Sequence, residues 1–111
     1  MVEKKFTHFL VRESDLMVQI ELLFSETTPE IEQEIRGFLT TLYFAAGTNI
    51  QIDLGGMKSI SLKTSTFLVH LGKELANSNL KLILLNTPAP TSKFFKTFQF
   101  DSFISLRSRT T

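Results

Sequence analysis

The chain has 111 residues, enough for one domain and too few for two of ordinary size. Hydrophobic residues make up 42% and charged residues 21%, which excludes a disordered composition, and the absence of cysteine excludes disulfides, thiolate metal sites and a cysteine nucleophile. Twelve basic and eleven acidic residues leave a net charge of +1, a balance that supplies no broad field for nucleic acid or an anionic membrane.

Met1-Val2-Glu3-Lys4-Lys5 is followed by the mixed run Phe6-Thr7-His8-Phe9-Leu10, which does not read as a secretory leader. No apolar stretch reaches the ~18 residues of a spanning helix. A cytoplasmic single domain over residues 1–111, with a polar tail at 107–111, is the expectation. Eleven phenylalanines stand beside one tyrosine and no tryptophan. Phenylalanine carries apolar area without a polar handle, so this usage favours a packed core.

Phe6 to Val11 reads as a first strand, closed by Arg12-Glu13-Ser14-Asp15. Val18, Ile20 and Leu22 alternate with Gln19 and Glu21, the period-two pattern of a strand with one buried face. Thr28 is placed to cap a helix with Pro29 at its first position and Glu30 and Glu32 near its positive end. Ile31, Ile35, Phe38, Leu39 and Leu42 recur at helical spacing, which predicts a helix from Pro29 to about Ala46, ended by Gly47-Thr48-Asn49. Ile50, Ile52 and Leu54 form the next strand, ending at Gly55-Gly56. A loop from Met57 to Leu62 leads into a helix whose apolar face carries Phe67, Leu68, Leu71 and Leu75.

Leu80 to Leu85 is a nearly continuous apolar run, the pattern of a strand covered on both faces. After the stiff loop Asn86-Thr87-Pro88-Ala89-Pro90, Thr91 or Ser92 is expected to cap a short helix bearing Phe94, Phe95 and Phe98. Phe103 to Leu106 closes as the last strand. The element order is β-β-α-β-α-β-α-β, and the strand-helix-strand units of the second half imply parallel pairing.

The residues offer little chemistry. His8, expected in the first strand, and His70, on the second helix, are too few for a metal cluster. Glu30, Glu32 and Glu34 fall on a helix whose apolar stripe faces elsewhere, which makes them a solvated face. Gly55-Gly56 lies between strand and helix but lacks the spacings that let backbone amides cradle a phosphate. Ser78-Asn79-Leu80-Lys81 matches S-x-x-K only by letters, at a helix end. Lys93 to Phe100 interleaves basic and aromatic residues. If exposed it could stack bases or enter a membrane interface; on a helix its phenylalanines share one side, and docking on the sheet is the expectation. Nothing reads as a catalytic or metal site, and no cofactor is expected.

Ile50-Gln51-Ile52-Asp53-Leu54-Gly55-Gly56-Met57 resembles the strand ending in an apolar-D-L-S-G-V signature in STAS domains, the family of anti-sigma-factor antagonists and sulfate-transporter tails. Lys73-Glu74-Leu75, the strand Leu80 to Leu85, Pro88, Phe94-Phe95, Phe100 and Ile104 follow in the family's order, so that about half the chain carries the resemblance. It implies an α/β fold: one STAS-like domain, a mixed sheet of four to five strands with about three helices packed mainly on one side.

The resemblance also implies a non-catalytic module that binds a protein partner. Antagonists of this family carry D-S-[ST]-G at the start of the second helix, where the second hydroxyl is phosphorylated and the unphosphorylated form binds an anti-sigma kinase. Aligned without gaps, that motif falls on Ser61-Leu62-Lys63-Thr64, so Ser61 replaces the acid, Lys63 the phosphoacceptor and Thr64 the glycine. A phosphate there would meet free amides and the positive helix end, whereas a lysine brings the opposite charge. The expected contact residues are Asp53, Met57, Ser59, Ser61, Lys63 and Thr64, with Asp53 closing its strand. Ser61, Thr64 and Ser65 are candidates for a displaced phosphorylation site. The expected partner is an anti-sigma kinase-like protein. The alternatives are a transporter ATPase, with the chain as an accessory subunit, or a small ligand or lipid in a phenylalanine-lined pocket. A homodimer is left open.

Overall fold

The computed structural model describes residues 2–14, 17–24, 26–39, 49–55, 57 and 60–108. Six strands form one sheet in chain order: β1 (Val2–Lys5), β2 (Phe9–Ser14), β3 (Met17–Leu22), β4 (Asn49–Asp53), β5 (Leu82–Thr87) and β6 (Ile104–Ser108). The first three pair antiparallel, and β3 to β6 pair parallel. The parallel steps are bridged by α1 (Pro29–Leu39), α2 (Leu62–Asn77) and α3 (Ala89–Thr97), the last followed by a 3-10 turn at Phe100–Ser102.

Each crossover moves one strand along in the same direction, and crossovers of one hand stepping one way put every helix on one face. Burial follows that rule. Along β3, Val18, Ile20 and Leu22 are buried while Met17, Gln19 and Glu21 are half-buried. The same alternation puts Phe9 and Val11, Ile50 and Ile52, Leu82 and Leu84, and Ile104 into one core with Ile31, Ile35, Leu39, Phe67, Leu68, Leu71, Leu75 and Phe95. The opposite face carries a polar ladder in which Arg12 pairs with Glu3 at 3.4 Å and Glu21 at 3.3 Å.

Several expectations change, among them the polar tail, whose Arg107 and Ser108 continue β6, and the loop expected at 86–90, whose Asn86 and Thr87 belong to β5 and whose Ala89 and Pro90 open α3. The sheet has six strands instead of four to five, because the charged segment Val2–Lys5 pairs with β2 as an edge strand. Its Glu3, Lys4 and Lys5 belong to an edge kept in water, which hydrophobic patterning cannot register. The first expected strand is displaced accordingly to Phe9–Ser14, and His8 lies in the bend before it, where its carbonyl accepts from the Leu23 amide at 3.0 Å. Among the described residues strand β5 is covered on one face: Leu82 and Leu84 are buried, and Ile83 and Leu85 half-buried beside Gln51 and Asp53. Helix α3 starts before Thr91 and Ser92, with Pro88 at the cap and Pro90 in the first turn. Both hydroxyl residues are buried, so they pack where capping had been expected.

Other starts and stops follow local chemistry. The Thr28 hydroxyl accepts from the Ile31 amide at 3.3 Å at the head of α1. The extension of that helix toward Ala46 and its ending at Gly47-Thr48 lie outside the described residues. Asn79, at φ 60°, ends α2, and the Leu80 amide folds back to the Leu75 carbonyl at 2.9 Å. Gly72 lets α2 approach β6: a Cβ there would lie 2.6 Å from Ile104 Cγ1, itself fully buried.

The phenylalanines of α3 divide. Phe95 is fully buried and Phe94 half-buried, but Phe98 is 58% exposed. Phe95→Ala should therefore cost about 3–5 kcal/mol and Phe98→Ala about 1 kcal/mol or less, as read from denaturant midpoints. Gly72→Ala should lower the thermal midpoint, because the ~1–3 kcal/mol cost of overpacking opposes a helix-propensity gain of only about 1 kcal/mol.

Candidate functional site

The carboxyl ends of the parallel strands and the amino ends of the helices meet along one edge of the molecule. There, Asp53 closes β4: its Oδ1 accepts from the Gly55 amide and from Asn86 Nδ2, both at 2.7 Å, and its Oδ2 accepts from Gln19 Nε2 at 3.4 Å. One carboxylate thus ties β3, the turn after β4 and the end of β5. Gly55 takes φ +61°, a conformation glycine adopts without cost. The loop continues through half-buried Met57, whose amide bonds the Leu54 carbonyl at 3.3 Å, to half-buried Ile60. Gly56 and Ser59, both singled out from the sequence, lie outside the described residues.

Ser61 is the N-cap of α2. Its hydroxyl accepts from the Thr64 amide at 3.1 Å, and its carbonyl accepts from the Ser65 amide at 3.0 Å and the Ser65 hydroxyl at 3.1 Å. Thr64 is fully buried, and its hydroxyl accepts from the Thr27 amide at 2.9 Å while lying 3.0 Å from Ser61 Oγ. Thr27 is buried too, in the segment between β3 and α1. A hydroxyl inside the fold therefore holds the head of α2 against a loop 37 residues earlier in the chain. Ser65 is also buried. Of the three hydroxyls read as candidate phosphorylation sites, Thr64 and Ser65 lie inside, and Ser61, half-buried, is occupied in capping.

Lys63 is exposed in the first turn of α2, which contains no acidic residue, and has no ion-pair partner among the described residues. Beside it, Leu62 is 67% exposed. It stands between two hollows: one of about 380 Å³, bordered by Glu32, Lys63, Thr66, Phe67 and His70, and one of about 190 Å³, bordered by Ile60, Ser65, Pro90, Thr91 and Phe94. The sequence reading missed Leu62. The signal was available, because Leu62 precedes the stripe Phe67, Leu68, Leu71 and Leu75 without sharing its face. Arg36 pairs with Glu74 at 3.1 Å and lies 5.5 Å over the Phe67 ring, joining α1 to α2.

The expected contact residues thus separate by role. Asp53, Ser61 and Thr64 build the edge, Met57 packs beneath it, and Lys63 faces outward. Among the described residues no group of three or more His, Cys, Asp or Glu side chains could hold a metal ion, and no helix is long and apolar enough to cross a membrane. Thr64→Val should cost about 1–3 kcal/mol, because the Thr27 amide loses its acceptor inside the fold. Hydrogen exchange at Thr27 should accelerate, whereas Thr64→Ser should retain most of the protection.

No protein-family model matches the chain. No curated protein matches it either. The fold does match solved structures. The solution structure of the protein TM1081 superposes with a TM-score of 0.72 at 16% identity, covering 97% of this chain and 90% of that one. The crystal structure of a Thermotoga maritima protein of the same designation, described there as a proposed anti-sigma factor antagonist, gives a TM-score of 0.66 at 16% identity, covering 91% of this chain and 86% of that one. The chain shares the fold of these two structures, a STAS-like fold.

Proposed function

We propose that this chain is a non-catalytic regulatory module of the anti-sigma-antagonist kind, acting in the cytoplasm by binding a protein partner through the loop at 57–65 and the start of α2. The observation that carries the reading is Leu62, a leucine 67% exposed between two hollows at the head of a rigidly mounted helix. An apolar side chain of that kind, flanked by a charge, has the apolar centre and polar rim of an interface patch. The structural neighbour described as a proposed antagonist supports the same assignment through its fold.

Lys63 decides how such a module would be regulated. A phosphorylated hydroxyl would swing the local charge by about −1.5 to −2 and repel an acidic or apolar partner. An ammonium at the position where the family resemblance puts that hydroxyl carries a constant positive charge instead. The switch is therefore altered. A module without that switch suits a second reading, an accessory subunit of a membrane transport complex, and Lys63 is the specific observation that favours it.

The test uses the purified chain, Leu62→Asp and Lys63→Glu as baits in native cell extract, with bound proteins identified by mass spectrometry. A partner held by the unaltered chain should be lost about tenfold or more from both variants, while their melting temperatures stay within ~2 °C because both side chains are exposed. An anti-sigma kinase-like partner establishes the first reading, and a transporter ATPase the second. Equal capture by all three baits removes the interface from the head of α2.

A further inference from the structure

The near-neutral total conceals a segregation of charge. Residues 1–53 hold nine acids and four bases, whereas residues 54–100 hold one acid, Glu74, and six lysines, at 58, 63, 73, 81, 93 and 96. Glu74 is itself engaged by Arg36. Helices α2 and α3 therefore present a cationic half of the helical layer, and Lys63, Lys73, Lys93 and Lys96 are all exposed and without ion pairs among the described residues.

Apolar surface runs through the same half. Leu62 and Phe94 both border the hollow of about 190 Å³. The Phe94 ring centroid lies 5.1 Å from that of Phe98, which is 58% exposed and stacks on Phe100 at 6.0 Å and 24°. Two of the large apolar side chains left in water, Leu62 and Phe98, thus stand at the two ends of a strip that crosses from α2 to α3, with Lys63 next to Leu62 and Lys93 and Lys96 on α3.

We infer that this strip is a docking groove for an acidic amphipathic segment of a partner protein, reaching beyond the head of α2 onto Phe94 and Phe98. The inference rests on the docking reading above and adds the partner's chemistry and the extent of the surface. Unpaired lysines beside an apolar strip complement carboxylates around an apolar face, and at the margin of a groove such charges steer association as well as select the partner. The hollows on either side of Leu62 fit inserted side chains; a bilayer would need a convex apolar surface and would leave them unfilled. A second copy of this chain offers three of its eleven acids on α1, whose exposed positions are Pro29, Glu30, Gln33, Glu34 and Gly37 and include no large apolar anchor, while Glu3, Glu13 and Glu21 of the sheet are already paired with Lys4 or Arg12.

A displayed library of 16-residue peptides selected against the full chain tests this directly. Enriched peptides should carry an excess of Asp and Glu with apolar residues at i, i+3, i+4 and i+7. In fluorescence anisotropy the best of them should bind Phe98→Ser and the double variant Lys93→Glu, Lys96→Glu about tenfold or more weakly, and should weaken as salt is raised. Basic or neutral winners, or no enrichment, would overturn the acidic-partner assignment. Peptides that need Leu62 and Lys63 but bind the Phe98 and lysine variants normally would overturn the extension onto α3 and leave the docking reading standing. Peptides indifferent to all four positions would remove both. Phe98-dependent sedimentation with phosphatidylserine vesicles in place of peptide binding would assign the strip to a membrane, and Phe98-dependent self-association would assign it to a second copy.

Discussion

Val11, Ile20, Ile52 and Leu84 stand side by side in register on four adjacent strands, each fully buried, and this apolar row is what the rest of the molecule is arranged around. A row of that kind must be covered, and three successive crossovers in one direction deliver α1, α2 and α3 to the same side of it. Once the helices are there, geometry leaves little choice about the rest. Strand carboxyl ends and helix amino ends share one edge, so the turns after β4 and β5 converge with the caps of α2 and α3. Asp53 can hold two of those turns because they have been brought together, and its partners Gln19 and Asn86 come from β3 and β5, one on each side.

Much of this was legible in the residues. The alternation of Val18, Ile20 and Leu22, the helical stripes of Ile31 and Ile35 and of Phe67, Leu68, Leu71 and Leu75, and the Thr28-Pro29 start all express local periodicity or capping, and they read correctly one at a time. What escaped was decided elsewhere in the chain. Val2–Lys5 is a strand because β2 offers it an edge, not because its own residues alternate. Ile83 and Leu85 look like core within their run, yet they are only half-buried, because no second helical layer lies over them among the described residues. Phe98 shares the spacing of Phe94 and Phe95, but α3 ends at Thr97 and the chain turns at Gln99, φ 61°, leaving Phe98 outside the core.

At the head of α2 the sequence blurred the roles of neighbouring residues. Ser61, Thr64 and Ser65 were equivalent hydroxyls by composition. Burial separates them: Thr64 serves as an internal acceptor for a distant amide, Ser61 as a cap, and Ser65 as packing with a bond back to the Ser61 carbonyl. Such a division depends on a contact between residues 27 and 64, which no local pattern announces. Leu62 and Lys63, by contrast, are left outside by that anchoring, because a helix held on its inner face by Thr64 and Ser65 must turn its neighbours outward.

The close seat of Gly72 on Ile104 has a mechanical meaning when set beside the Thr64–Thr27 bond. Helix α2 is mounted at two points, a polar one at its head and a steric one near its middle, eight positions apart and thus about 12 Å along the axis. A rod held so can neither slide nor roll without breaking a bond or striking a side chain. Whatever engages its outer face meets a surface already in shape, so little ordering entropy is lost on contact and the lifetime of the complex is set by the contacts themselves.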